Sequence, residues 1–172
     1  MILGMSTATF TAVHVIITLI AIVSGFVAVI GMLGAHRLPG WTALFLLTTI
    51  LTSVTGFLFP IHGFTPALGV GALSCVLLLL ALIGLYGRHL TGAWRWVYVV
   101  TAVAALYFNV FVLIVQAFEK VSLLNAKAPQ VGPPFAEPVN THFAIAQGVA
   151  LVLFLVLGFL AVVRFRPSPS PA

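Results

Sequence analysis

Histidines are the side chains of this sequence best suited to binding a metal or a polar ligand. Three of the five are His14, His62 and His142, and each lies near one end of a hydrophobic stretch. Imidazole nitrogens are good ligands for zinc, copper and non-haem iron. No two of these histidines are four residues apart, so they do not share one helix turn. A metal site formed by His14, His62 and His142 would therefore depend on tertiary packing.

Carboxamides form a second polar set, between residues 109 and 147. Asn109, Gln116 and Lys120 recur at intervals of seven and four residues, which places them on one helix face. Inside a membrane such amides bond to neighbouring helices or line a polar cavity. Both interpretations stay open. The cavity interpretation predicts a ligand-binding site made from His14, His62, Asn109, Gln116, His142 and Gln147.

The histidines also leave the cofactor open. Haem b in a membrane bundle is usually held by two histidines on facing helices, and His14 with His142 is the pair that this sequence offers. We expect no bound cofactor. A metal and a single haem b are the alternatives.

The motifs of soluble enzymes are absent. The sequence contains no glycine-rich phosphate loop, no Gly-x-Ser-x-Gly elbow and no His-Glu-x-x-His. Proton-coupled transporters usually carry an acidic residue within a span, whereas both acidic residues here, Glu119 and Glu137, fall in a predicted connector. The sequence therefore favours a protein that is not an enzyme.

Composition predicts the elements that must position these residues. The chain is 62% hydrophobic and 5% charged, with a mean hydropathy of +1.27, whereas soluble domains average about 25% charged residues. Crossing a membrane takes about 20 apolar residues. The spans expected are residues 9–33, 41–59, 67–86, 93–118 and 141–165. We predict an all-α integral membrane bundle of five transmembrane helices in a single domain, residues 1–166, followed by a disordered Pro/Ser tail at 167–172.

Hydroxyl residues follow the faces of the first two spans. In the first span, Thr11, His14 and Thr18 lie on one face, and in the second Thr52 and Thr55 do the same. Small and hydroxyl side chains allow membrane helices to approach closely. We therefore interpret these faces mainly as packing seams. A partner for His14 is required, since an unpaired imidazole within a membrane is costly.

Basic residues predict the orientation of the bundle. Five spans place Lys120 and Lys127 on one side and five arginines on the other, and the arginine-rich side is expected in the cytoplasm. The N-terminus and connector 119–140 would then lie outside, and the C-terminus in the cytoplasm. The net charge of +5 comes from scattered residues without interleaved aromatics, so nucleic acid is not an expected partner. The arginines are Arg37, Arg88, Arg95, Arg164 and Arg166.

Connector 119–140 is long and rich in proline. Four prolines, the last being Pro138, favour extended chain. Long connectors without regular structure are often functional. This one suits a lid over an outer polar cavity and suits equally a surface for a partner. Expected partners are the lipid bilayer and, as open alternatives, another membrane protein or a second copy of this chain.

One segment resembles a recurrent pattern in small bacterial membrane proteins. The pattern is Ala35-His36-Arg37-Leu38-Pro39-Gly40-Trp41, followed by Thr52-Ser53-Val54-Thr55-Gly56. It resembles families of uncharacterised multi-span proteins and covers the first two or three helices. The resemblance implies a bacterial inner-membrane helical bundle without an established activity. The chain also has a looser similarity to haem-bearing b-type cytochrome bundles, but it lacks the histidines that those bundles carry in their central helices.

These observations lead to one expected function and two alternatives. We expect a non-enzymatic accessory or binding protein, multi-pass in the bacterial inner membrane. Its polar site would lie in the outer half of the bundle under connector 119–140. The alternatives are a metal- or small-ligand-handling protein that uses the outer histidines, and a redox protein with a single b-haem.

Overall fold

Five long helices make up the described part of the protein. The computed structural model describes residues 1–60, 66–121, 124 and 141–166, with the backbone alone for 66 and 67. All five helices are long and apolar enough to cross a membrane, which confirms the prediction of an all-α protein with five membrane-length helices. His62, the tail 167–172 and nearly all of the chain between 122 and 140 lie outside the described residues. The helices are α1 Thr7–Leu33, α2 Pro39–Phe57, α3 Pro66–Leu82, α4 Trp94–Lys120 and α5 Thr141–Arg164, with a π-helical turn Ile83–Gly87 that continues α3.

Helix ends follow local chemistry. The Ser6 side chain accepts a hydrogen bond of 3.1 Å from the Thr9 amide and so caps α1. Pro39 occupies the first turn of α2, where its missing N–H has no helical partner to lose. This proline starts α2 two residues before the predicted Trp41. When the π-helical turn Ile83–Gly87 is counted with α3, the predicted bounds of the five spans differ from the observed ones by two residues or fewer.

Helix α4 is the centre of the bundle. It contacts each of the other four helices. Val99, Ala102, Ala105 and Leu106 on this helix are completely buried. Two of the four are alanines, and small side chains allow neighbouring membrane helices to pack closely. Helix α4 therefore links the four other helices, whereas α2 packs mainly on α1.

Ring contacts indicate that α1 and α2 run in opposite directions, and likewise α4 and α5. Phe10 near the start of α1 meets Phe59 beyond the end of α2, with ring centroids 5.0 Å apart. Phe118 at the end of α4 meets Phe143 at the start of α5, at 5.6 Å. We call this end of the bundle, which holds the start of α1 and the end of α4, the His14 end. The opposite end is the Arg95 end.

Arginine side chains organise the Arg95 end. Arg95 donates a hydrogen bond from Nη1 to the carbonyl oxygen of Phe165, just past α5. This bond satisfies a carbonyl that the helix itself leaves unpaired. Arg88 lies over the ring of Trp94, 5.4 Å from its centroid, in a cation–π contact. The start of α4 is thereby tied to its neighbours by charged as well as apolar contacts.

Apolar side chains cover the outside of the bundle. On α5, Val149, Leu155 and Phe159 are 64%, 64% and 68% exposed. Exposed apolar area of this extent is rare on proteins surrounded by water. It is the surface expected of helices surrounded by lipid, which have no hydrophobic penalty for facing outward.

The closest helix approach is at Gly25, where α1 meets α2 and α4. A Cβ atom added there would lie 2.6 Å from Leu106 Cδ1 and 2.8 Å from Phe45 Cδ2. Both neighbours are buried, with 0% and 1% exposure. An alanine at this position would force both side chains to shift within the packed bundle.

We predict that Gly25→Ala destabilises the bundle by about 1–3 kcal/mol, the usual cost of overpacking a well-packed core. Gly148→Ala is the matched control, since nothing lies within 4 Å of a Cβ at Gly148. The control should be neutral or slightly stabilising, because alanine favours helix over glycine. Thermal melting of both variants in detergent measures the difference. Equal melting temperatures would contradict the proposed close approach.

Candidate functional site

Three threonines of α2 form a ladder of polar contacts with two other helices. Thr49, Thr52 and Thr55 are spaced by three residues, and each step turns the side chain back by about 60° around the helix. Thr49 consequently faces α4, whereas Thr52 and Thr55 face α1. We call these threonines and their partners His14, Thr18 and Asn109 the polar ladder.

The innermost step of the polar ladder joins α4 to α2. Asn109 donates from Nδ2 to the Thr49 hydroxyl over 3.1 Å. Both side chains are buried, Asn109 at 6% exposure and Thr49 at 0%. Asn109 therefore acts as an interhelical contact in the bundle core.

The outer steps of the polar ladder join α1 to α2. The hydroxyls of Thr18 and Thr52 are 3.3 Å apart. Thr18 donates its own proton to the His14 carbonyl at 2.8 Å, so Thr52 is the donor between the two hydroxyls. One turn closer to the end of the bundle, His14 Nδ1 lies 2.7 Å from the Thr55 hydroxyl.

The bonds of Thr55 determine which nitrogen of His14 carries a proton. A hydroxyl has one proton to donate, and Thr55 donates it to the Leu51 carbonyl at 2.6 Å. Both contacts are satisfied together when Thr55 accepts from His14, which places the proton on Nδ1. In the neutral ring this leaves Nε2 with a lone pair. His14 thus presents Nε2 as a hydrogen-bond acceptor or a metal ligand.

His14 Nε2 is accessible. It makes no hydrogen bond with the described residues, and the one buried unpaired side-chain atom among them is Gln147 Oε1, not this nitrogen. The ring of Phe59 stands edge-on to the imidazole, with centroids 5.3 Å apart. Phe59 therefore packs against the imidazole of His14.

Burial along the polar ladder decreases toward the His14 end. Thr49 and Asn109 are buried, whereas Thr55 and His14 are half-buried. Gln116, two turns beyond Asn109 on the same face of α4, is half-buried as well. The seam between α1, α2 and α4 is therefore closed at its centre and open at its His14 end.

Lys120 stands beside this opening. It follows Gln116 by four residues, ends α4 and is exposed. It lies on the same face of α4 as Asn109, which bonds to α2, and at the same end of the bundle as His14. The open end of the ladder thus combines an imidazole acceptor with a nearby ammonium group.

The remaining predicted site residues lie elsewhere. Gln147 on α5 donates from Nε2 to the Phe111 carbonyl of α4 at 3.1 Å, and its Oε1 is buried without a partner among the described residues. Phe111 is two residues from Asn109 and so lies on another face of α4. His142 is exposed in the first turn of α5 and has a contact of its own.

Metal binding by the three histidines is not decided by this geometry. Among residues 1–60, 66–121, 124 and 141–166, no group of three or more His, Cys, Asp or Glu side chains is placed to hold a metal. His62 is outside these ranges, so the site of His14, His62 and His142 stays a prediction. The same applies to a haem held by His14 and His142.

The α2 threonines, which the sequence predicts to be mainly packing residues, contribute to the polar ladder. Their three-residue spacing was the available signal, since it carries the hydroxyls gradually from one neighbouring helix to another. Which His14 nitrogen carries the proton depends on the hydrogen bond from Thr55 to the Leu51 carbonyl. Residue spacing alone does not reveal that bond.

Comparison of the chain with protein-family models, with curated proteins and with solved structures gave no match. The resemblance to uncharacterised bacterial membrane families stays a prediction.

We predict that Asn109→Leu and Thr49→Val each destabilise the bundle by about 0.6–2 kcal/mol, the range for an interhelical hydrogen bond in a membrane. The double variant should cost clearly less than the sum, because both changes remove the same bond. Thr48→Val is the control, since the Thr48 hydroxyl bonds to Leu44 within its own helix. Unfolding in a denaturing detergent measures the cycle. Strict additivity would contradict the contact.

Proposed function

We propose that this chain is a non-enzymatic accessory or binding protein, multi-pass in a bacterial inner membrane, whose binding site is the open end of the polar ladder. The observation that supports this proposal is the state of His14. Its ring is fixed by Thr55, and its Nε2 lone pair is accessible and unpaired among the described residues.

The contrast with Asn109 is the reason to regard His14 as a binding residue. Asn109 is buried and bonded to Thr49, as an interhelical contact requires. His14 has one nitrogen committed to helix packing and the other uncommitted. A polar atom without a partner in apolar surroundings is costly. A bound molecule or water that donates a hydrogen bond to Nε2 removes this cost.

Under this proposal the His14 end faces outward and the Arg95 end faces the cytoplasm. The charges support this orientation. All five arginines belong to the Arg95 end, whereas Lys120 ends α4 at the His14 end. An excess of Lys and Arg is typical of cytoplasmic connectors. Connector 119–140 then starts beside the site, on the outer side.

Reporter fusions test the orientation. We predict that a reporter placed after Lys127 is active outside the inner membrane, and that reporters after Arg37 and at Ala172 are active in the cytoplasm. The fusion after Arg37 serves as an internal control, because the same five-span arrangement fixes its side. Activity of the Lys127 and Ala172 reporters on one side would contradict the orientation.

Copurification tests the binding function. We expect wild-type protein in a mild detergent to retain a small molecule that mass spectrometry detects near stoichiometric amount. His14→Phe should lose this molecule, since phenylalanine fills the space of the ring without offering an acceptor. Thr48→Val should keep it. Identical profiles for the wild-type and His14→Phe proteins would contradict a binding site at His14.

A metal or haem protein is the second candidate, and the protonation of His14 favours it. Histidines that bind metals usually donate their other ring N–H to a neighbouring group, as His14 Nδ1 does to Thr55. The positive charge of Lys120 opposes a cation at the same place. An absorption spectrum and metal analysis decide between the candidates. A Soret band, or a metal lost in His14→Phe, would establish this alternative.

A further inference from the structure

We propose that the open end of the polar ladder binds an amphiphile whose head group carries an anionic oxygen together with a hydroxyl donor, as a phosphoglycerol group does. The proposal rests on the proposed binding function and names its ligand class. It combines three features of the same opening: an acceptor nitrogen, a cation and an apolar surround.

The acceptor requires a donor from the ligand. Hydrogen bonds at this place run in one direction, from His14 Nδ1 to Thr55 and from Thr55 to the Leu51 carbonyl. Every proton in this chain is already committed, so the neutral ring can take part in one further bond, as acceptor at Nε2. A ligand hydroxyl completes the chain. An ether or ester oxygen does not, because it has no proton to give.

The cation selects an anionic oxygen. Lys120 lies on the same face of α4 as Asn109 and Gln116, at the His14 end of the bundle. An ammonium group at this end attracts an anionic oxygen. Glu119 precedes Lys120, is exposed and keeps a contact of its own. A head group that carries both a hydroxyl and an anionic oxygen offers one group to His14 and the other to Lys120.

The surround selects an amphiphile over a free polar molecule. Phe59 packs edge-on against the His14 ring, and Phe10 packs against Phe59. Val54 and Leu58 on the same end of α2 are 48% and 42% exposed. An alkyl chain attached to the head group can bury apolar area against this surface. A water-soluble phosphoglycerol lacks that contribution. A lipid should therefore bind more tightly than a free phosphoglycerol with the same head group.

Nitrogen-15 NMR of histidine-labelled protein tests the acceptor. We predict a protonated Nδ1 and an unprotonated Nε2 for His14 in nanodiscs near neutral pH. Thr55→Val should change these signals, because it removes the acceptor of Nδ1–H, and Thr48→Val should leave them unchanged. A protonated Nε2 with a bare Nδ1 would overturn the proposal.

Ligand-dependent melting in phosphatidylcholine nanodiscs tests the ligand class. The probe is lysophosphatidylglycerol, compared with an alkylphosphocholine (which has a phosphate oxygen but no hydroxyl), an alkyl glucoside, glycerol 3-phosphate and zinc ion. We expect lysophosphatidylglycerol to raise the melting temperature. We also expect its affinity to fall at least tenfold in His14→Phe and in Lys120→Gln. Because Lys120 is exposed, the Lys120→Gln variant should fold normally. It therefore keeps the test decisive even if the His14→Phe variant fails to fold.

The other probes separate the outcomes. If glycerol 3-phosphate binds as tightly as the lysolipid, the head-group chemistry is supported and a water-soluble source is assigned. His14-dependent binding of zinc, of the glucoside or equally of the alkylphosphocholine overturns the ligand class and leaves the proposed binding function standing. An absence of His14-dependent binding in every arm overturns both.

Discussion

A polar side chain within a membrane has no water to bond with, and this constraint governs the whole bundle. Each such group must find a partner in the protein or pay the cost of desolvation. Most hydroxyls here solve the problem locally: Ser24, Thr48 and Thr101 donate to carbonyls of their own helices. Asn109 has no comparable local solution and bonds to Thr49 across the α2–α4 interface. The position of α2 against α4 follows from that need.

The same constraint separates structural polar residues from residues available for binding. Contacts at the centre of the polar ladder are buried and use their partners within the bundle. At the His14 end the ladder is half-buried, and His14 divides its two nitrogens between packing and an open position. A site built in this way is preorganised, because the bond to Thr55 fixes the ring before any ligand arrives. Preorganisation of this kind reduces the ordering cost of binding.

Close packing and polar contacts support each other in this fold. Gly25 allows α1 to approach α2 and α4, and this approach brings the hydroxyls of Thr18 and Thr52 within 3.3 Å. At the other end, Arg95 on the Phe165 carbonyl holds the end of α5 against the start of α4. Apolar surface in lipid gives little drive for helix association, so such short contacts decide which helix faces meet.

The sequence by itself determined the class of protein and the bounds of its five helices. It could do so because the length of an apolar run and the presence of Pro or Ser at its start depend on neighbouring residues alone. It also placed Asn109 and Gln116 on one face of α4, since that follows from helix periodicity. The tertiary structure decided that Asn109 meets Thr49 and that Thr55 orients His14. It also decided that Gln147 of α5 bonds to the Phe111 carbonyl of α4 and lies away from Asn109. These partners lie 36 to 60 residues apart in the chain, and no local pattern contains the rotation of one helix against another.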